Sequence, residues 1–160
     1  MHRFSRRTFG SFRGFLRDLW FQLVHLPALA RAGRCEAIPP AFRERLLLAV
    51  TAVNGCRYCS WGHARAALAA GVPHRETELL LRGVVDLDRP DEVPALYFAQ
   101  HWAEADGAPE PEAVATLVAT YGEETSRHIE TFLRAIRFGN LFGNSVDRVL
   151  HLLSFGRLGN

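Results

Sequence analysis

Apolar side chains recur every three or four residues along nearly the whole chain, and no stretch alternates β-branched residues with period two. Such spacing places side chains on one face of a 3.6-residue repeat, so the expected fold is all-α and a sheet finds no support. Punctuation divides the helices. Pro39-Pro40 ends the first and opens a second, apolar at Leu46, Leu47, Val50 and Val53 and polar at Arg43, Glu44 and Arg45. Asn54-Gly55 breaks that helix. The next begins near Cys56 and runs through Trp61, Ala64, Ala67 and Leu68 to a C-terminal cap at Gly71. Pro73 opens another, with Leu79, Leu80 and Val84 predicted inward, and residues 86–91 form a polar turn. Residues 92–105 follow, with Leu96, Phe98 and Trp102 on the apolar face. Pro109 and Pro111 open a helix that Gly122 interrupts and that resumes through Ile129, Phe132, Leu133, Ile136 and Phe138. The tail, residues 141–155, carries Val146, Val149, Leu150 and Leu153 on one stripe. Gly139 and Gly143, four apart, suit a close approach of two helices.

Residues 1–38 read as an N-terminal helical extension ahead of a helical domain over 39–160. Phe12, Phe15, Leu16, Leu19, Trp20, Leu23 and Leu26 share one helical face. Ser5-Arg6-Arg7-Thr8-Phe9 has the form of a twin-arginine export signal, but Arg13, Arg17 and Asp18 interrupt the apolar core such a signal needs. The basic residues Arg3, Arg6, Arg7, Arg13 and Arg17 ahead of a Phe/Trp face allow membrane-surface contact. Packing on the core or on a neighbouring subunit is the favoured reading. No apolar run reaches the roughly 20 residues of a membrane span. Length, 160 residues, suits one domain, and 48% apolar with 22% charged residues is globular composition. All 19 basic residues are Arg, scattered, and the net charge of +2 gives no case for nucleic-acid binding. Three Cys do not make a disulfide scaffold.

One motif carries chemistry: Cys56-Arg57-Tyr58-Cys59-Ser60-Trp61-Gly62-His63. It follows a helix break, so both sulfurs lie on a first helical turn, where the dipole and unpaired N–H groups favour a thiolate. Thiols so placed have pKa values lowered from about 8.5 to roughly 3.5–7.5. Cys59 and His63 are four apart, so an imidazole stacks over a thiol. Such a pair attacks a disulfide or a peroxide oxygen, and the second Cys closes a disulfide. Two other readings stay open at this level. One is half a zinc site, for which Cys35, His25, His74, His101 and His128 are the remaining ligand types. The other is a pair of inert buried thiols. His101 and His128 are also candidates for a second metal or acid–base site, and Trp61 and Trp102 are read as core.

The stretch from Arg43 to His63 resembles the core motif of the carboxymuconolactone decarboxylase superfamily. It is most similar to the alkylhydroperoxidase D branch: Glu, eleven residues, Cys-x-x-Cys, three residues, His. The likeness is specific over residues 43–71, and Gly139-Asn140 and Gly143-Asn144 resemble the C-terminal helices of some members. The resemblance implies an all-helical bundle assembled as a homo-oligomer, a trimer or hexamer. It implies a cytoplasmic thiol-dependent peroxidase or disulfide oxidoreductase with no built-in cofactor or metal. Cys59 would attack a small or lipid-like hydroperoxide, Cys56 would resolve the sulfenic acid as a disulfide, and an external thiol or protein donor would reduce it. Glu44 and His63 would form the proton relay. The peroxidase prototype carries a second His between the cysteines; here Tyr58 stands there, which shortens the relay and leaves Tyr58 to donate a hydrogen bond or to pack. The alternatives are a non-enzymatic helical oligomer using the Cys pair as a metal or redox sensor, and decarboxylase- or isomerase-like acid–base chemistry by Glu44 and His63.

Overall fold

A computed structural model describes residues 4–155 and 157, and the described residues contain helices and no strand. Arg3 and residues 158–160 of the expected segments lie outside that range. Seven helices follow in order: α1 (Phe12–Val24), α2 (Leu26–Ala32), α3 (Pro40–Asn54), α4 (Arg57–Ala69), α5 (His74–Leu81), α6 (Val93–Glu104) and α7 (Pro111–Leu153). No helix among the described residues is long and apolar enough to cross a membrane.

α3 is the axis, packed against α4, α5, α6 and α7. Ten of its residues are buried, including the whole run from Glu44 to Thr51. A helix buried on every side loses the one-sided pattern of a surface helix, and here the sequence expectation needs correcting. Glu44 and Arg45, predicted on the polar face, are both buried. Arg45 is satisfied by Glu76 of α5 at 2.9 Å and by Glu92, just before α6, at 3.1 Å. The apolar core is completed by Leu80, Leu96, Phe98, Trp102, Leu117, Ile129, Phe132, Leu133 and Ile136.

The expected breaks are present. Gly55 caps α3 in the left-handed region (φ 69°), and Gly122 (φ 78°, ψ 163°) kinks α7. Gly71, at φ 86°, follows α4, where Val72 N–H reaches back to the Ala67 carbonyl at 2.9 Å. Four expectations fail. The first helix is broken at His25, because Pro27 has no N–H to continue the ladder. α5 ends at Leu81, so Val84 lies outside it and is exposed. Trp61 is 67% exposed beneath the Arg65 guanidinium, not core. The stripe of Val146, Val149 and Leu153 faces solvent.

The N-terminal segment crosses α7 before α1 begins. Asn144 donates to the Arg7 carbonyl at 2.9 Å, Ser145 Oγ accepts from Phe9 N–H at 3.2 Å, and Arg148 donates to Thr8 Oγ1 at 3.2 Å. Arg7 donates to the carbonyls of Ala103 and Glu104. α1 then lies on α7 through Phe9, Phe15 and Phe138, while Phe12, Leu16, Trp20 and Leu23 remain exposed.

Candidate active site

The site forms where the C-terminus of α3, the N-terminus of α4 and the second half of α7 meet. Asn54-Gly55 ends α3, and Cys56 is the N-cap of α4, with its side chain accepting the Cys59 N–H at 3.3 Å. A sulfur occupies the place of the usual capping oxygen and meets the positive end of the helix. Cys56 is fully buried and Cys59 half-buried; both are free thiols. The Cys56 thiol is lowered from 9.0 to about 6. The hydrogen bond from Cys59 is the largest cause; burial opposes it, and the N–H groups of Cys59 and Tyr58 add to it. Cys59 is pushed up, first by the hydrogen bond it gives to Cys56 and then by burial, with Asn140 pulling the other way. The two sulfurs thus share one hydrogen bond at the start of α4, which lowers the Cys56 thiol and raises the Cys59 thiol.

Glu44 and His63 come together across α3 and α4: His63 Nδ1 lies 2.8 Å from Glu44 Oε2. Glu44 also accepts from Arg43 Nε at 3.4 Å. An Nδ1–H held by a buried carboxylate leaves Nε2 as the proton-accepting nitrogen. His63 stands one turn along α4 from Cys59, on the same face.

Tyr58 is not brought to this pair. Its hydroxyl donates to Asp147 of α7 at 2.8 Å, and Arg57 donates to the same Oδ1 at 2.7 Å. Gly143 lies against the sulfur: a Cβ added there would stand 2.8 Å from Cys56 Sγ. Gly139, its expected companion, has open space around it.

Behind the sulfurs lies a belt of buried polar side chains that sequence reasoning missed. Asn54 donates to Asn140 Oδ1 at 3.1 Å, Asn140 donates to Thr51 Oγ1 at 3.2 Å, and Asn144 donates to the Asn54 carbonyl at 2.8 Å. The doubled Gly-Asn, four residues apart, was the available signal. Among the described residues no three of His, Cys, Asp and Glu converge as metal ligands. Cys35 sits half-buried beside the core after α2, His101 pairs with Glu110, and His74 is exposed.

The carboxymuconolactone decarboxylase family matches residues 24–105, half of the chain. The chain belongs to that family. No curated protein and no solved structure matches it. Glu44, Cys56, Tyr58, Cys59 and His63 lie within the matched span of this family member; Asn140, Gly143, Asp147 and Arg6 lie outside it. The match begins inside the segment read from the sequence as an extension.

Proposed function

We propose that this protein is a thiol-dependent peroxidase or disulfide oxidoreductase working through Cys56 and Cys59. The observation that carries the reading is the 2.8 Å contact between Glu44 and His63, one helical turn from Cys59. A base oriented by a third group beside a thiol is the arrangement of an activated nucleophile.

Cys59, the more accessible sulfur, passes its proton to His63 Nε2 and attacks the terminal oxygen of a hydroperoxide. The O–O bond breaks, Cys59 becomes a sulfenic acid, and the imidazolium returns the proton to the leaving alkoxide, giving an alcohol. The Cys56 thiolate then attacks Cys59 Sγ and expels hydroxide, which leaves as water with a solvent proton. A dithiol donor supplies two electrons and two protons to reopen the disulfide. Tyr58, engaged by Asp147, serves the turn and not the relay. A cytoplasmic setting with reducing thiols suits this cycle.

We also propose assembly with further copies of the chain. Phe142, Val146, Val149 and Leu153 are exposed at the 4-3-4 spacing of a coiled-coil seam. Sedimentation of Val149→Glu tests this: an unchanged oligomer, or a monomeric wild type, overturns it.

Hydroperoxide consumption with a dithiol donor tests the activity. Cys59→Ser abolishes it, and Cys56→Ser leaves a sulfenic acid that a dimedone-type probe captures. Wild-type rates in both variants overturn the reading. Acid–base turnover surviving in the Cys56/Cys59 double variant would replace it with the decarboxylase-like alternative.

A further inference from the structure

Asp147 is fully buried near the middle of the last turns of α7 and makes three short contacts. Oδ1 accepts from Arg57 Nη2 at 2.7 Å and from the Tyr58 hydroxyl at 2.8 Å, and Oδ2 accepts from Arg6 Nη1 at 2.8 Å. Arg57 Nη2 also donates to the Tyr58 oxygen at 2.9 Å. Arg57 and Tyr58 are the two residues between the cysteines, so this one carboxylate holds the first turn of α4, which separates the sulfurs. Arg6 comes from the segment before α1, and its Cγ lies 3.4 Å from where a Cβ on Gly55 would stand, next to Cys56. The N-terminal strap thus reaches over the turn that carries the inner sulfur.

A buried carboxylate stays charged only where cations and donors replace its lost hydration. Asp147 opposes a negative charge on Cys56. Arg57 and Arg6 are the cations that offset it. The side chains packed behind the turn from α3 and α7, namely Thr51, Asn54, Asn140 and Asn144, are uncharged. The ionisable pair Glu44–His63 lies one turn further along α4 from Cys59.

Resting on the thiol-redox reading above, we propose that Asp147 and Arg6 are positioning residues for the Cys56–Cys59 pair. The docked strap brings a guanidinium to the carboxylate that holds the turn, and so sets how readily the disulfide forms. With Arg6 in place the Asp147 charge is matched and a thiolate on Cys56 is tolerated. With Arg6 gone the charge is less matched, the thiolate is disfavoured and the disulfide gains.

The test is the equilibrium of the full chain with glutathione at neutral pH. The reduced pair and one glutathione disulfide give the Cys56–Cys59 disulfide and two glutathiones. Two electrons pass from the protein sulfurs to the glutathione sulfurs, and the protons follow. Arg6→Gln is expected to raise the oxidation constant by about fivefold, and Asp147→Asn to lower it by about fivefold, since one removes a cation and the other an anion. Arg6→Lys restores the wild-type constant. Shifts of the same sign in Arg6→Gln and Asp147→Asn mark simple loosening and overturn the proposal, as does an unmoved constant in Arg6→Gln. Should Asp147→Asn fail to fold, the Arg6→Gln shift and its reversal in Arg6→Lys decide alone. No hydroperoxide enters the measurement, so missing peroxidase turnover beside opposite shifts sinks the peroxidase reading and leaves this inference standing.

Discussion

Gly143 of α7 backs directly onto Cys56, so close that a Cβ on it would stand 2.8 Å from the sulfur and 3.3 Å from the Tyr58 ring. Cys56 has no room to yield, because it is fully buried, and the Tyr58 hydroxyl is held by Asp147. Gly143→Ala is therefore expected to overpack the turn and cost about 1–3 kcal/mol in chemical denaturation. It should also change the reactivity of the pair toward a small disulfide. Gly139→Ala, with open space around it, should leave both unchanged. Equal effects of the two would show that the sulfur does not pack on α7.

Glu44 holds His63 by one hydrogen bond. Glu44→Gln keeps an oxygen near the ring but removes the charge that stabilises an imidazolium. Hydroperoxide turnover is expected to fall by about 100-fold, the usual scale for an acid–base contribution, with thermal stability little changed. Steady-state kinetics over a pH series checks this, and an unaltered rate would remove the relay.

The lowered pKa of Cys56 makes the stability of the reduced protein depend on pH. The folded value is about 6 and the ordinary value 9.0, so between them the unfolded chain holds a proton that the folded chain lacks. Stability from this group is fully present above 9.0 and is lost as pH falls through about 6. Denaturant midpoints of the reduced wild type relative to Cys56→Ser should rise across that window. The thiolate absorbance should titrate near its lower end. A flat difference would contradict the thiolate.

Arg45 is buried between Glu76 and Glu92. Burial pushes the Glu92 carboxyl up, and Arg45 works against that. Arg45→Leu strands two carboxylates and is expected to destabilise by about 3 kcal/mol. The loss should shrink at acid pH, where the raised Glu92 carboxyl takes up a proton. Urea unfolding at two pH values reads both effects.

The sequence by itself determined the all-α class, the breaks at Gly55 and Gly122, and which residue types meet at the site. Gly55, Gly71 and Gly122 mark points where only glycine takes the backbone easily, and Pro39-Pro40 marks a start, so local rules sufficed. The Glu44, Cys56, Cys59 and His63 set was legible because it spans two helices joined by a tight turn, and antiparallel return brings the carboxylate to the imidazole. Tertiary structure alone decided what α7 and the strap contribute. Asp147, Asn140 and Asn144 reach Tyr58, Arg57, Asn54 and Thr51 from some 90 residues away in sequence, and no local periodicity encodes such a contact. Burial of Glu44 and Arg45 was hidden for a related reason. A central helix is covered on all sides, so its polar residues look like a solvent face until the partners that satisfy them are in place.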